Sequence, residues 1–344
     1  MKDSPCARIL FRAANWVGDA IMTTPVLRAV RKNFPQAQIT VLAKPWVIPV
    51  YEHSPYVDHI MVYDNNGRHK KGLGTLSLAA DIRQHRFDLA VLMQNAFEAA
   101  LITWLGGVRE RLGYNTDARG LLLNRAVKME PKLKQGHLID YYTAILKGAG
   151  LLTDGRRLEL FLSEEDRQTA RNVLEQIGLD PSGPIIGINP GATGGTAKRW
   201  FPERFAKIAG RLSKKLNTKI LIFGGPADRK LGEKICQAVP GCCINIAGQT
   251  TLGQAFALIE TCRLFITNDS GLMHAAAALN INQVAIIGST NFKATSPANE
   301  NSVIIRVPVP CSPCMKPECP IDHRCMDLIT TDMVYEEALE MLNV

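Results

Sequence analysis

Three polar loops, each directly after a short apolar run, contain the residues best suited to chemistry. The first, residues 15–19, has one carboxylate, that of Asp19. The second, residues 189–200, contains three glycines, two threonines and Lys198. The third, residues 268–274, lies between an apolar run and an alanine-rich run. Folds that alternate strands and helices bind their ligands at the carboxyl ends of the strands, where such loops lie.

The third loop has the character of a phosphate site. Residues 264–267 predict a buried strand and residues 272–279 a helix, so the loop joins the two. The first N–H groups of a helix lack partners and carry the positive end of its dipole, which suits a diphosphate. Asp269 can accept hydrogen bonds from ribose hydroxyls, and His274 lies within the first turn or so. The alternative is an ordinary helix cap, since Asp, Ser and Gly are all favoured there.

The other two loops each admit two interpretations. Asp19 can act as a general base or simply cap the following helix, and its loop lacks the glycine spacing of a dinucleotide fingerprint. Residues 189–200 have the composition of a phosphate cradle, but Ala197 and Arg199 flank Lys198, so the P-loop pattern is not met. A flexible surface loop is the alternative. Residues 224–228, also rich in glycine, are typical of a plain turn.

Size and composition indicate a globular protein with two cores. At 344 residues the chain is long for a single domain. A hydrophobic content of 46%, a charged content of 21% and a mean hydropathy of -0.01 exclude wholesale disorder. No apolar run approaches the roughly 20 residues of a membrane-spanning helix, and the N-terminus lacks a signal-peptide pattern. We therefore expect a cytoplasmic protein.

The net charge of +8 is distributed unevenly. Residues 1–150 contain 20 Lys and Arg against 12 Asp and Glu, whereas residues 151–344 contain 20 of each. Such asymmetry suggests a polyanionic partner for the first half: nucleic acid, an anionic membrane surface or a phosphorylated substrate. A well-solvated basic face is the alternative.

Four of the nine cysteines are clustered near the C-terminus. They are Cys311, Cys314, Cys319 and Cys325, with His323 beside the last. A Cys-x-x-Cys pair followed by two thiols is compatible with zinc, but the spacings match no familiar finger and four prolines make the segment irregular. Metal binding therefore stays open. The scattered cysteines are expected to be small buried hydrophobic residues.

Strands and helices alternate along the chain, which predicts two doubly wound α/β domains. The first half predicts strands at 9–11, 39–42, 59–62, 89–93 and 158–162, and helices near 76–85, 97–105 and 137–149. A helix start with Thr24 as cap and Pro25 at the first position is also predicted. Ser163 and Asp166 form a capping-box pattern for a further helix.

The breaker-rich residues 178–183 place the predicted boundary between domains of residues 1–180 and 181–344. The second half predicts strands at 185–188, 220–223, 243–246, 264–267, 284–287 and 303–306, and helices at 202–216, 229–238, 252–261 and 272–279. A last helix, at 332–342, has no strand after it and is expected to pack back on the first domain. The cleft between the domains is the expected active site.

Three segments together resemble glycosyltransferase family nine, the lipopolysaccharide heptosyltransferases. They are NWVGDAIMTTPVLRAV at 15–30, NPGATGGTAKRWFPERFA at 189–206 and NDSGLMHAAAAL at 268–279. The resemblance spans nearly the whole chain and includes the cysteine segment. It implies a GT-B fold, with two Rossmann-like domains facing a cleft, the first binding the acceptor and the second the nucleotide sugar.

The resemblance also implies roles for individual residues. Asp19 would be the general base. Thr193 and Lys198 would hold the diphosphate, although an extra glycine-threonine stretch before the lysine makes Thr196 a rival. The ADP-heptose would be held by Asp269, Ser270, Gly271 and His274.

The implied reaction is inverting transfer of heptose from ADP-L-glycero-D-manno-heptose to heptosyl-Kdo-lipid A. The first heptose addition, or transfer of another sugar, is the alternative. No cofactor is required, with magnesium as an optional aid to the diphosphate. The anionic lipid A inner core is the implied partner, reached from a peripheral position on the cytoplasmic face of the inner membrane. An oxidoreductase is disfavoured by the missing fingerprint, and a nucleic-acid partner is not expected, because no recognised binding module or basic helix is present.

Overall fold

The computed structural model describes residues 6–344, which form two compact units, one ending at Phe161 and the next beginning at Leu162. Each unit contains a six-stranded parallel sheet with helices between consecutive strands. Strands covered by helices on both faces are read as continuous apolar runs, which is why most of them could be predicted. The predicted α/β class is confirmed.

In the first unit the strand order reverses between β1 and β4. The strands are β1 (Arg8–Arg12), β2 (Gln38–Ala43), β3 (His59–Val62), β4 (Leu89–Leu92), β5 (Glu110–Tyr114) and β6 (Arg125–Val127). The helices are α1 (Val17–Met22), α2 (Thr24–Asn33), α3 (Leu73–His85), α4 (Phe97–Leu105) and α5 (Leu138–Gly148). The sheet order is β3-β2-β1-β4-β5-β6, so the topological switch point adjoins the loop after β1.

Residues 17–33 form two helices. Asp19 lies in the first turn of α1 and not in an open loop. Thr23, one residue before the predicted cap Thr24, ends α1 and begins α2, with Pro25 in the first turn of α2. Proline is tolerated there because its missing N–H would have no helical partner.

The second unit repeats the same topology. Its strands are β7 (Ile185–Asn189), β8 (Ile220–Ile222), β9 (Cys243–Asn245), β10 (Cys262–Asn268), β11 (Gln283–Ile286) and β12 (Ser302–Ile305). Its helices are α6 (Glu164–Gln176), α7 (Pro202–Leu216), α8 (Arg229–Ala238), α9 (Leu252–Glu260), α10 (Gly271–Ala278), α11 (Phe292–Thr295), α12 (Arg324–Asp327) and α13 (Thr331–Leu342). The order is β12-β11-β10-β7-β8-β9, so the switch point lies between β7 and β10.

The unit boundary differs from the sequence prediction, whereas the packing of the last helix on the first domain stays a prediction. Helix α6 belongs to the second unit, where Arg167 makes a two-pronged ion pair with Glu260 of α9, at 2.7 and 3.0 Å. Helix α13 also packs within the second unit: Val334 and Ala338 are buried in its core, and Arg211 of α7 contacts Asp332 at 2.5 Å. The glycine-rich residues near 180 therefore end a helix of the second unit and do not separate the units.

The predicted strand at 158–162 is not formed. Glu159 instead pairs with Arg28 of α2 at 2.7 Å, and its backbone N–H donates to Thr24 Oγ1 at 3.2 Å. The buried Arg28 also binds Asp154 at 2.6 Å. The apolar side chains of this segment alternate because the segment lies extended over helix α2, without a sheet neighbour.

Among residues 6–344, no helix has the length and apolar character needed to cross a membrane. The capping box predicted from Ser163 and Asp166 is present at the start of α6.

Candidate active site

In the first unit, Asp19 is held by a tyrosine from a distant helix. The Tyr142 hydroxyl of α5 donates to Asp19 Oδ1 at 2.9 Å. Burial, followed by the adjacent carboxylate, raises the pKa of Tyr142 well above its ordinary value. The phenol therefore remains a proton donor at neutral pH, and it fixes the orientation of the carboxylate at the switch point.

The turn between β1 and α1 is fixed by a buried arginine. Arg12 donates to the Ala13 carbonyl at 2.6 Å and to Asn15 Oδ1 at 2.9 Å. The indole N–H of Trp46 donates to the Asn15 carbonyl at 2.8 Å. Desolvation lowers the pKa of Arg12 to about 10, although the guanidinium stays charged at neutral pH. These bonds rigidify the backbone that leads into α1, so the position of Asp19 is set from both sides.

A second cation, Lys44, lies close to this turn, at the end of β2. Its Nζ lies 5.0 Å from the ring centroid of Trp46 and 5.8 Å from that of Tyr63. Burial, followed by repulsion from Arg12, lowers the pKa of Lys44. Glu98 offsets part of this effect and accepts from the Tyr63 hydroxyl at 2.6 Å. An ammonium group held over aromatic faces beside another cation is well placed to receive an anionic group.

In the second unit, two buried asparagines join the loops after β7 and β10. Asn189 donates to Thr267 Oγ1 at 3.0 Å and to Ser270 Oγ at 2.8 Å. Asn268 donates to the Pro190 carbonyl at 2.7 Å and accepts from the Trp200 N–H at 3.1 Å. Buried amide groups need such partners, so the two loops form one hydrogen-bonded structure at the switch point.

The two hydrogen-bonded loops bring Lys198 and Asp269 together. The Lys198 Nζ lies 3.4 Å from Asp269 Oδ2, and Thr295 of α11 donates to the same oxygen at 3.3 Å. The Asp269 side chain is only 5% exposed, whereas that of Lys198 is 26% exposed. The lysine is therefore accessible to solvent, whereas the aspartate beside it is buried.

Helix α10 begins beside this ion pair. Ser270 is its N-cap and Gly271 its first residue, so their N–H groups stand at the positive end of the helix. His274 is buried one turn later. A helix N-terminus with a lysine beside it is a suitable receptor for a diphosphate.

The glycine-rich loop between β7 and α7 leaves both candidate threonines exposed. Thr193 precedes the two glycines, and Thr196 begins a short 3₁₀ turn. Gly195 has φ +118°, and a Cβ added there would lie 2.1 Å from the Pro317 carbonyl oxygen. Only glycine fits this approach. Both threonines stay predicted ligands of the diphosphate.

That close approach belongs to a contact between the loop and the cysteine segment, residues 311–325. The Ala197 N–H donates to the Pro317 carbonyl at 3.0 Å, and the Ala197 carbonyl lies 2.9 Å from His323 Nε2. Both backbone groups of Ala197, next to Lys198, are thus bonded to this segment. Sequence reasoning assigned no such role to Pro317 or His323.

The four clustered cysteines line one cavity of about 230 Å³, together with His323 and Arg324. Cys311 is exposed and Cys325 is buried. Burial, followed by the nearby Cys311, raises the pKa of the Cys325 thiol to about 11. Within residues 6–344, no three His, Cys, Asp or Glu side chains stand close enough together to hold a metal ion.

The chain resembles known proteins over most of its length. Residues 75–324, which include both second-unit loops and all of the cysteine segment except Cys325, match the family model for glycosyltransferase family 9 (heptosyltransferase). A lipopolysaccharide heptosyltransferase 2 from Escherichia coli is 32% identical over 87% of this chain and 88% of its own. The chain belongs to glycosyltransferase family 9 and is therefore a glycosyltransferase.

Solved structures of the family superpose on this chain. The ADP-heptose lipopolysaccharide heptosyltransferase II of E. coli has a TM-score of 0.83 at 30% identity, covering 98% of both chains. A family 9 glycosyltransferase from Veillonella parvula has a TM-score of 0.87 at 25% identity, covering 99% of both. The predicted GT-B type of fold is confirmed.

The structure places the sequence-predicted residues in two groups. Lys198, Asp269, Ser270, Gly271 and His274 come together at one switch point, and Asp19 occupies the other. Besides Lys44, Pro317 and His323, the sequence prediction did not include Tyr142, Asn189 and Thr295. Asn189 had a signal, because it ends an apolar strand within the quoted motif. Tyr142 had none, since it lies in a helix 123 residues from the aspartate.

Proposed function

We propose that this protein is an inverting heptosyltransferase of the second inner-core step. It moves heptose from ADP-L-glycero-D-manno-heptose to the heptosyl-Kdo-lipid A core. The observation that carries the donor half is the approach of Lys198 to Asp269 at 3.4 Å, at the N-terminus of α10. Similarity to the E. coli heptosyltransferase 2 over most of both chains supports the choice of donor and step.

The donor diphosphate binds at the start of α10. The N–H groups of Ser270 and Gly271 and the Lys198 ammonium group donate to its oxygens, with one threonine, Thr193 or Thr196, assisting. Asp269 holds Lys198 in position and accepts from the ribose or the sugar. His274 supports the helix turn beneath them. As ADP departs its negative charge increases, and these fixed donors stabilise that charge in the transition state.

Asp19 acts as the general base. It takes the proton from the acceptor hydroxyl as the oxygen attacks the anomeric carbon opposite ADP, so configuration is inverted. An unperturbed aspartate is a weak base, so orientation matters more than basicity. Tyr142 provides that orientation.

The acceptor is anionic, and the first unit supplies cations for it. Lys44, held over Trp46 and Tyr63, binds a carboxylate or phosphate of the inner core. Burial has already removed part of the hydration of the ammonium group, which lowers the cost of binding an anion. Lys44 therefore acts on acceptor affinity and not on donor affinity.

In this mechanism protein donors stabilise the negative charge of the departing ADP, and no cofactor is required. Magnesium remains an optional aid to the diphosphate. We expect turnover to be unchanged when a chelator is present. Added magnesium should then have no effect on the rate. If the chelator abolished turnover and magnesium restored it, a metal ion and not Lys198 would stabilise the charge on the departing ADP.

The protein works peripherally at the cytoplasmic face of the inner membrane, because its acceptor is anchored there. No nucleic acid takes part. A filter-binding assay with nucleic acid at low and moderate salt tests this, because binding driven by phosphate contacts falls steeply with salt. We expect no such binding.

The decisive experiment is mass spectrometry of products formed from ADP-heptose with two acceptors, Kdo-lipid A and heptosyl-Kdo-lipid A. Addition of one heptose to the heptosylated acceptor alone is expected. Addition to the unheptosylated acceptor would reassign the protein to the first step. Transfer from another nucleotide sugar, with none from ADP-heptose, would reject the donor.

A further inference from the structure

Helix α3 of the first unit presents an apolar stripe to solvent. Leu73, Leu76 and Ala80 are spaced three and four residues apart, so they share one face, and all three are exposed. Leu73 is 84% exposed and Leu76 is 54% exposed. The opposite face is buried in the core through Leu78 and Ile82. The helix therefore has enough apolar residues to pack inward, and the outer stripe is surplus to folding.

The neighbouring helix α4 has a stripe of the same kind. Phe97 and Trp104, seven residues apart, are 45% and 50% exposed. Arg83 of α3 donates to the Leu105 carbonyl at the end of α4, at 2.6 Å. Leu76, Ala80 and Leu105 share the walls of a groove of about 540 Å³ with arginines. Helices α3 and α4 pack against each other, and the exposed sides of residues 73–86 and 97–105 are together called the α3–α4 face.

Cations border this face at both ends. Lys70 and Lys71 precede α3, and Arg83 and Arg86 are exposed at its C-terminal end. The carboxylate of Asp81 is already engaged by Arg68 at 2.6 Å. Lysines before a helix N-terminus oppose the helix dipole, so helix stability does not explain them. A surface that combines exposed leucines, a tryptophan and exposed cations complements an anionic lipid bilayer.

We infer that the α3–α4 face docks this protein onto an anionic membrane surface. Leu73, Leu76 and Trp104 enter the interfacial layer, and the cations at both ends contact lipid phosphates. The inference rests on the proposed function, whose acceptor is a membrane lipid. The cationic border argues against a second copy of this chain as the occupant, since like charges would face each other across a twofold axis.

Vesicle sedimentation tests the surface directly. Full-length protein is mixed with phosphatidylethanolamine vesicles that contain phosphatidylglycerol, and with phosphatidylcholine vesicles as the neutral case. We expect binding to the anionic vesicles alone. The double variant Leu73→Ser/Leu76→Ser should weaken the partition constant at least about tenfold. Lys70→Gln/Lys71→Gln should weaken binding and reduce its salt dependence. Leu152→Ser is the matched control, because Leu152 is 73% exposed outside this face.

Equal binding of wild type and both double variants would overturn the inference, as would absence of wild-type binding. A wild-type dimer in sedimentation velocity that Leu73→Ser/Leu76→Ser converts to monomer would also overturn it, by assigning the face to a second copy.

Activity assays separate this inference from the proposed function. With a deacylated, water-soluble acceptor the leucine variant should keep wild-type kcat/KM, whereas with acceptor embedded in vesicles it should lose about tenfold or more. Vesicle binding without any heptose transfer by the wild type would reject the proposed function while supporting the docking surface. Equal loss on both acceptors would overturn the docking role.

Discussion

The Tyr142 hydroxyl donates a 2.9 Å hydrogen bond to Asp19 Oδ1. One residue lies in the last helix of the first unit and the other in its first helix, so the contact forms only when the whole unit is folded. Because burial and the aspartate both raise the pKa of Tyr142, the phenol does not compete for the role of base. In the proposed mechanism Tyr142 is a positioning residue.

Tyr142→Phe should lower kcat by about tenfold, since a hydrogen bond to a charged group contributes about 1.5–3 kcal/mol and part of that loss is relieved by water. The affinity for ADP, measured by calorimetry, should be unchanged. The conservative Tyr56→Phe serves as the control in the same unit. An increase in KM with unchanged kcat would show that Tyr142 contributes to acceptor binding and not to the base.

Asp19→Asn should reduce kcat about a hundredfold or more, the usual contribution of a positioned general base. The asparagine keeps the shape of the side chain and can still accept from Tyr142, so folding and ADP binding should survive. Asp140→Asn, an exposed carboxylate change on α5, provides the control. Turnover at the wild-type rate would reject Asp19 as the base.

Lys198→Ala should weaken ADP binding by about tenfold, because a charge-assisted contact is lost and the buried Asp269 carboxylate then repels the diphosphate. Titration calorimetry measures the effect. Lys214→Ala removes a lysine from the last turn of α7, away from the loop, and should leave the affinity unchanged. Equal affinities for all three proteins would place the diphosphate elsewhere.

Lys44→Ala should raise KM for the acceptor several-fold while the affinity for ADP stays the same. The reason is that Lys44 lies over Trp46 and Tyr63 in the first unit, whereas the residues proposed to bind the donor belong to the second. Steady-state kinetics with acceptor varied at saturating donor measures this. A change in the donor constant alone would contradict the assignment.

Among the four clustered cysteines, alkylation should label Cys311 first and Cys325 last. At pH 8 a thiol with a pKa of about 11 is about 0.1% thiolate, and raising the pH to 10 increases that fraction about a hundredfold. Peptide mass spectrometry with iodoacetamide follows both sites. Equal rates at pH 8 would contradict the burial of Cys325. Protection of all four clustered cysteines until a chelator is added would reveal a metal ion.

Elements could be predicted most accurately from the sequence where composition and helix-breaking residues alone determine them. The helices at Phe97–Leu105, Pro202–Leu216 and Arg229–Ala238 follow directly from composition and breakers. β5 and β6 were not predicted, because their polar residues do not form apolar runs. The segment at 158–162 imitates a strand, since alternation records which side chains are covered and not whether a backbone partner exists.

The site could be predicted as three loops but not as pairs of contacts. Lys198 and Asp269 belong to different loops, and only the strand order β10-β7 makes them neighbours. The bond between Tyr142 and Asp19 depends on how α5 packs, which no local pattern encodes. The relative roles of Thr193 and Thr196 stay a prediction, because both side chains face solvent.

The backbone of Ala197 is bonded on both sides to residues 317 and 323, one residue before Lys198. Substitutions in the cysteine segment and in the glycine-rich loop should consequently be non-additive, since each alters a shared contact. In a mutational library, a change near Pro317 should relieve only the steric part of the cost of Gly195→Ala, since the φ of +118° strains alanine as well. Gly241→Ala, at φ +78° with open space around it, carries the backbone strain alone, so no change near Pro317 should alter its cost. Epistasis of this kind would make the cysteine-rich segment a part of the donor site in the genetic sense, whether or not it ever touches the nucleotide.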